Sequence, residues 1–219
     1  MFTYSPQLPN LNTASKFQAR SLREPPKKEK IEVDLSPLEG SPDFPGKKTS
    51  PLLRAVMLSA VINSQCPVQE NLHMEDMSPV FKHLLAKTGR TDTIYDMVRE
   101  LQRVSVGKFA LHKVSSWKQL QLALAEGLTV MVGHTVYERF VDAEGSGVVP
   151  MPRPGEGLLG GHIVNLVGYD PVADTATALG NLGGDFGHRG MLTYRGSFIR
   201  NLSICFDFFV LVPRRVNVH

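Results

Sequence analysis

The chain has 219 residues, 42% of them hydrophobic and 21% charged, and its formal net charge is +3. Such a length suits one domain of about 180 residues with an additional segment, which is enough to bury a full hydrophobic core. The sequence has no run of eighteen apolar residues, which predicts no transmembrane helix, and its weak positive charge without a known nucleic-acid-binding module argues against a sequence-specific reader of DNA or RNA.

Residues 1–32 differ in composition from the rest of the chain. They hold four prolines, few aliphatic side chains and more cations than anions, the cations being Lys16, Arg20, Arg23, Lys27, Lys28 and Lys30. Such a segment cannot bury enough apolar surface to fold alone. We interpret it as an extended basic arm that becomes ordered on other protein subunits; a solvated leader is the alternative. A loose electrostatic contact with nucleic acid stays open.

The first residues also lack the charged start and the apolar run of a signal peptide. This favours a virion or intracellular (cytoplasmic) location over secretion.

A helix is predicted to begin at Ser50 and Pro51. Serine is a good N-cap, and proline suits the first helical position because its missing N–H would be unsatisfied there in any case. We place this helix at 51–64. Further helices are predicted at 78–88, 93–104 and 116–126, and strands near 109–113, 128–137, 162–170, 174–179, 190–194 and 206–212.

Two glycine-containing segments carry the most information. Residues 160–170 read GGHIVNLVGYD, and residues 180–190 read GNLGGDFGHRG. The first resembles the segment that holds the catalytic histidine of papain-like cysteine peptidases, and the second resembles their asparagine segment. The resemblance covers about residues 33–212 and is strongest to the bacterial and viral branch of the family. It implies an α+β, two-lobed papain-like fold, with a helical lobe and an antiparallel β lobe, over residues 33–213 and a short tail at 214–219.

The same resemblance implies that most of the catalytic machinery is missing. His162 stands at the position of the general base. When Gly183, Gly187 and Gly190 are aligned with the family glycines, Gly180 takes the position of the triad asparagine. A glycine has no side chain with which to orient an imidazole, so we expect His162 to lack an orienting partner. A one-residue gap, which would put Asn181 in that position, is the alternative.

The nucleophile position gives the same result. In the family a glutamine of the oxyanion hole precedes the cysteine that opens the central helix. Gly46 and Ser50 keep this register here, so that Pro45 takes the place of the glutamine and Pro51 that of the cysteine. The predicted helix start therefore carries no ionisable atom.

The two cysteines and the histidines offer no clear replacement. Cys66 follows the predicted helix and precedes Pro67, and we interpret it as an ordinary thiol rather than a displaced nucleophile. Cys205 lies in the last predicted strand and is expected to be buried, since free cysteine behaves as a small hydrophobic residue. The histidines show no HExxH spacing and the cysteines no CxxC spacing, so neither a metal site nor a cofactor is expected.

The resulting hypothesis is a non-enzymatic structural or interaction protein on a degenerate papain-like fold. Its most concrete form is a minor virion or capsid-associated component of a large DNA virus or phage, attached to other subunits through residues 1–32. Two alternatives stay open. One is an active papain-like cysteine peptidase that uses Cys66 and His162, and the other is a pseudopeptidase that binds peptides in the old substrate groove.

Overall fold

The structure, a computed structural model, describes residues 50–64, 83, 93–105 and 109–213. Its helices are α1 (Pro51–Ser64), α2 (Ile94–Val104), α3 (Trp117–Ala125) and α4 (Gly196–Ile199), with a 3-10 helix at Glu138–Ala143. Its strands are β1 (Phe109–Lys113), β2 (Val130–Tyr137), β3 (Leu158–Asp170), β4 (Thr175–Leu179), β5 (Met191–Arg195) and β6 (Cys205–Pro213).

These elements confirm the predicted mixture of helices and antiparallel strands. The three predicted helices that fall on described residues, and all of the predicted strands, are present with small shifts at their ends. The 3-10 helix and α4 were not predicted. The helix predicted at 78–88 lies outside the described residues except for residue 83, and so do the proposed arm at 1–32 and the tail at 214–219.

The six strands form a single antiparallel sheet in the order β1-β6-β2-β3-β4-β5. The last strand returns to the interior of the sheet, between β1 and β2. At the centre, His134 of β2 pairs in register with His162 of β3 on one side and with Cys205 of β6 on the other.

Hydrophobic side chains cover both faces of this sheet. Along β2, Met131 belongs to the cluster that contains α1 and α2, whereas Val130 and Val132 belong to the cluster that contains α3 and α4. The alternation follows from the two-residue period of a strand, which sends successive side chains to opposite faces. The sheet is thus a layer between two cores.

The ends of α3 show how local sequence fixes the elements. The Ser116 hydroxyl accepts a hydrogen bond from the backbone N–H of Gln119, at 3.2 Å, which satisfies one of the unpaired donors of the first turn. Gly127, with φ of 80°, follows the last turn in the left-handed conformation that glycine adopts most easily. Among the described residues, no helix is long and apolar enough to cross a membrane.

A chain of buried polar groups joins α1 to the sheet. The Asn63 side chain donates to the Leu211 carbonyl at 2.7 Å and accepts from the Thr129 N–H at 2.7 Å. About one turn earlier in the helix, the hydroxyls of Ser59 and Thr129 share a hydrogen bond at 3.0 Å, and Asn165 of β3 donates to Ser59 at 2.7 Å. All four side chains are buried. Each finds a partner, as buried polar groups must, so the helix is held in one register on the sheet.

Candidate functional site

The site predicted from the sequence centres on His162, which lies in the middle of the sheet. Its ring packs edge to face on His134, with ring centroids 5.6 Å apart, and contacts Phe140 at 5.9 Å. Phe186, which stands where the resemblance expects a tryptophan, stacks on Phe140 at 5.3 Å. Aromatic side chains therefore lie beside the imidazole.

Gly180 contacts this imidazole through its main chain. His162 Nε2 lies 2.6 Å from the carbonyl oxygen of Gly180. Because a carbonyl can only accept a hydrogen bond, the Nε2 atom carries the proton and donates it. The expectation that Gly180 would leave His162 without an orienting partner is wrong, because the main-chain oxygen of Gly180 accepts a hydrogen bond from the imidazole.

The alternative register, with Asn181 as the orienting residue, is also wrong. The Asn181 amide donates to the Ile163 carbonyl at 3.0 Å and to Asn165 Oδ1 at 2.8 Å. It therefore faces the main chain of β3 and the polar chain beneath α1, and makes no hydrogen bond to the imidazole. Asn181 adopts a positive φ of 58°, which asparagine tolerates better than most residues.

The loop that carries Gly180 is shaped by two glycines with different constraints. Gly187 has φ of 74°, and a Cβ atom there would stand 2.5 Å from the Met191 carbonyl oxygen, so only glycine fits. At Gly180 a Cβ atom would stand 3.1 Å from Leu192 Cδ1 and 3.3 Å from the Gly190 oxygen. The packing around Gly180 leaves little room for an asparagine side chain.

The start of α1 lies toward the His162 end of β3. Asn63 contacts Thr129, which precedes Val130 and so lies level with the part of β3 that follows Leu166. Nearer the helix start, Ala55 accepts from Asn165 at 3.0 Å, and Arg54 donates to the Asn181 carbonyl at 3.4 Å. These contacts show that α1 runs alongside β3 in the same direction. One turn before Arg54, the helix begins with Pro51, the residue that the sequence resemblance aligns with the nucleophile of the family.

Proline cannot supply two groups that peptide hydrolysis uses. Pro51 has no side-chain atom that could attack a carbonyl carbon, and it has no backbone N–H that could stabilise an oxyanion. The first turn of α1 also holds no acidic residue. Pro45, assigned by the resemblance to the other oxyanion position, lies outside the described residues.

Both histidines of the site are neutral near pH 7. Burial lowers the pKa of His162, and the hydrogen bond to Gly180 opposes this in part. Burial lowers the pKa of His134 to about 4, with the Thr135 carbonyl opposing the shift and His162 adding to it. His134 Nδ1 donates to the Thr135 oxygen at 2.9 Å, and its Nε2 accepts from the Tyr194 hydroxyl at 3.1 Å. The two rings therefore hold opposite tautomers.

Cys205 is buried, as predicted. Its thiol donates to the Phe198 carbonyl at 3.5 Å, and burial raises its pKa to about 12. A thiol attacks only as thiolate, so this group is not a nucleophile. Cys66 lies outside the described residues.

The described residues place no three His, Cys, Asp or Glu side chains in an arrangement that could hold a metal ion. Two features of the site escaped the sequence-based interpretation. The carbonyl of Gly180 carries no signal in residue type, because every residue has one. The partnership of His134 with Tyr194 joins residues 60 positions apart, so no local sequence pattern indicates it.

Exposed apolar side chains lie near the starts of β3 and β6, toward the end of β3 that carries His162. Leu158 and Leu159, at the start of β3, are 66% and 61% exposed. Phe206, 45% exposed, lies over Gly133 and Gly161, where added Cβ atoms would stand 3.0 and 4.0 Å from its ring. Large exposed apolar residues are typical of a surface that meets another molecule where they form one contiguous patch.

No protein-family model matches the sequence. The chain is 26% identical over 96 residues to an uncharacterized peptidase C1-like protein of Acanthamoeba polyphaga mimivirus, a match that covers 43% of this chain and 31% of that protein. This match supports the relationship to papain-like cysteine peptidases that the motifs predict.

Solved structures similar to the chain include xylellain, a cysteine protease from Xylella fastidiosa, with 27% identity and a TM-score of 0.45 over 48% of this chain and 40% of that one. Another is a cysteine protease of Carica candamarcensis in complex with E-64, with 17% identity and a TM-score of 0.37 over 48% of this chain and 49% of that one. The chain thus spans between about a third and a half of the length of these relatives.

Proposed function

We propose that this papain-like chain does not cleave peptide bonds and acts by binding other protein subunits. The observation that carries the proposal is Pro51 at the start of α1. A cysteine peptidase needs an activated nucleophile beside its base and preorganised donors for the developing oxyanion. Proline in this position supplies neither a thiol nor an N–H.

The electrostatics of the site support the same function. A papain-like nucleophile works as a thiolate paired with an imidazolium. Here burial lowers the pKa of His162, which favours a neutral imidazole. The one thiol within the described residues, that of Cys205, has its pKa raised to about 12 by burial.

Protein binding is supported by the exposed apolar side chains near His162 and by residues 1–32. Leu158, Leu159 and Phe206 expose apolar area beside the site, and the basic, proline-containing arm suits an acidic neighbour. The matched relative is encoded by a virus. We therefore propose a minor virion or capsid-associated component, with the arm as its attachment, as the concrete form of this function.

The competing function is an active cysteine peptidase. It is favoured by one observation, the imidazole of His162 that Gly180 holds in a fixed orientation at 2.6 Å. Cys66 would then be the nucleophile. A pseudopeptidase that binds peptides beside His162 without cleaving them is a third candidate, and the exposed apolar residues near the site favour it.

Labelling with a thiol-directed, papain-type probe separates these candidates. The full chain is treated with the probe and analysed by intact mass, together with Cys66→Ala, His162→Ala and the matched control Cys205→Ala. We expect no label that depends on His162. Labelling of Cys66 that His162→Ala abolishes would establish the peptidase and overturn the proposal.

A further inference from the structure

We infer that the main-chain carbonyl of Gly180 orients the His162 imidazole in place of an asparagine side chain, and that Asn181 is the residue that positions this carbonyl. The inference goes beyond the proposed function, since it holds whether or not the chain cleaves peptides. It gives the site an oriented base. The group that the site lacks is then the nucleophile, which Pro51 at the start of α1 does not supply.

The first support is the contact itself. Nε2 of His162 and the oxygen of Gly180 lie 2.6 Å apart, a short distance for an N–H···O hydrogen bond. His162 makes its other contacts through ring faces and edges, with His134 and Phe140. The hydrogen bond therefore fixes both the tautomer and the rotation of the ring, which is what the third member of a catalytic triad does for its base.

The second support is the way in which the carbonyl is held. Gly180 donates its N–H to the Gly190 carbonyl at 2.9 Å, which ties one side of the peptide to the glycine loop. Asn181 ties the other side, because its amide donates to the Ile163 carbonyl and to Asn165 Oδ1. Ile163 directly follows His162, so Asn181 links the carbonyl to the same strand that carries the imidazole.

The third support is steric. An added Cβ at Gly180 would approach Leu192 Cδ1 to 3.1 Å, closer than an ordinary van der Waals contact. A side chain at Gly180 would therefore displace its neighbours in the loop that holds the carbonyl. Asn181, which is 7% exposed, instead directs its side chain into the support of this loop.

The test observes His162 directly, by long-range proton–nitrogen NMR of the full chain labelled with nitrogen-15 in histidine. In the wild type we expect the His162 proton on Nε2 and protected from exchange with water. His134 is an internal control, because the Thr135 carbonyl and the Tyr194 hydroxyl fix its proton on Nδ1. A wild-type His162 with its proton on Nδ1, or with both tautomers mixed, would overturn the role of Gly180.

The role of Asn181 is tested with Asn181→Gly, which keeps access to a positive φ and removes both side-chain donors. We expect the protected Nε2–H signal of His162 to be lost while that of His134 is unchanged. Asn63→Ala, which removes an amide from the far end of the buried polar chain, should leave both signals in place. Asn181→Asp, of nearly the same size, is the second variant if Asn181→Gly fails to fold. An unchanged His162 signal, or an equal loss at both histidines, would contradict a positioning role.

Discussion

His134 and His162 face each other across the β2–β3 ladder, with ring centroids 5.6 Å apart and ring planes perpendicular. Within the described part of the chain, neither ring pairs with a carboxylate; their hydrogen bonds go to Thr135, Tyr194 and Gly180. A proton added to either ring would therefore be a buried charge without a counterion, next to a second imidazole. Such a charge is costly.

This arrangement predicts that the protein loses stability on acidification. The pKa of His134 is about 4 in the folded chain against an ordinary value of 6.5. Because the folded value is the lower one, the unfolded chain binds the proton first. The contribution of His134 to the free energy of unfolding is therefore fully present above pH 6.5. It is lost as the pH falls from 6.5 through 4, which lowers the free energy of unfolding by about 3 kcal/mol.

Urea unfolding of the wild type and of His134→Gln at several pH values between 7 and 4 measures this loss. Glutamine at this position keeps a donor and an acceptor and does not titrate. We expect the free energy of unfolding of His134→Gln to fall by about 3 kcal/mol less than that of the wild type over this range. Identical pH profiles would show that His134 does not titrate as its burial implies.

The second prediction concerns the polar chain between α1 and the sheet. Asn165→Leu, of similar volume, removes the donors to Ser59 and Ala55 and the acceptor for Asn181. Buried groups left without partners should lower the free energy of unfolding by about 3 kcal/mol. Gln121→Leu, at a half-buried site on α3, is the control and should change it by less than about 0.5 kcal/mol. Similar effects of the two substitutions would mean that the buried polar chain adds nothing to stability.

The third prediction separates backbone strain from steric conflict at two glycines. Gly155 and Gly187 have similar φ values, 80° and 74°. A Cβ at Gly155 meets nothing within 4 Å, whereas one at Gly187 meets the Met191 oxygen at 2.5 Å. Gly155→Ala should cost about 1 kcal/mol, from the left-handed conformation alone. Gly187→Ala should cost about 3 kcal/mol, because overpacking adds to this strain. Equal losses in thermal or urea unfolding would show that the loop moves to accept the methyl group.

Much of the fold was predictable from the sequence. Ser50 and Pro51 mark the start of α1 through capping chemistry that residue type reveals. The motif at 160–170 placed β3 because its apolar run and flanking glycines are characteristic of the family segment. The 3-10 helix and α4 were missed because they are one to two turns long and leave no periodic pattern.

The candidate site was predictable in its residues and not in its contacts. The sequence located His162 and Gly180, and it indicated that Pro51 holds no nucleophile. It gave no sign that the Gly180 peptide turns its oxygen toward the imidazole, since that orientation depends on tertiary contacts of Asn181 with Ile163 and Asn165. Main-chain groups are the same at every residue, so an orienting role that a main-chain carbonyl fills leaves no mark in the side chains.

The fourth prediction concerns the nucleophile position. Pro51→Cys restores both a thiol and a backbone N–H at the start of α1. We expect its alkylation by iodoacetamide to be faster than that of Pro51→Cys combined with His162→Ala, because the imidazole is held in place. We expect no turnover of peptide substrates, since proline stays at position 45. Measurable turnover by Pro51→Cys alone would show that one substitution separates the chain from a peptidase.

The fifth prediction concerns the arm. Removal of residues 1–32 should leave the thermal midpoint of the remaining chain nearly unchanged, because these residues have too little apolar surface to contribute to a core. The same deletion should abolish incorporation into the native particle or complex, measured by cosedimentation with the full chain as the control. Normal incorporation of the truncated protein would reduce the arm to a solvated leader.

The central claim, that the chain binds without cleaving, is tested most directly by peptide hydrolysis. The purified full chain is incubated with a diverse peptide library under reducing conditions, and new termini are identified by mass spectrometry, with His162→Ala and Cys66→Ala in parallel. We predict that the wild type produces no cleavage beyond that in either variant, because Pro51 supplies no attacking atom and no oxyanion donor. Cleavage by the wild type that disappears in both variants would contradict this account and identify an active peptidase.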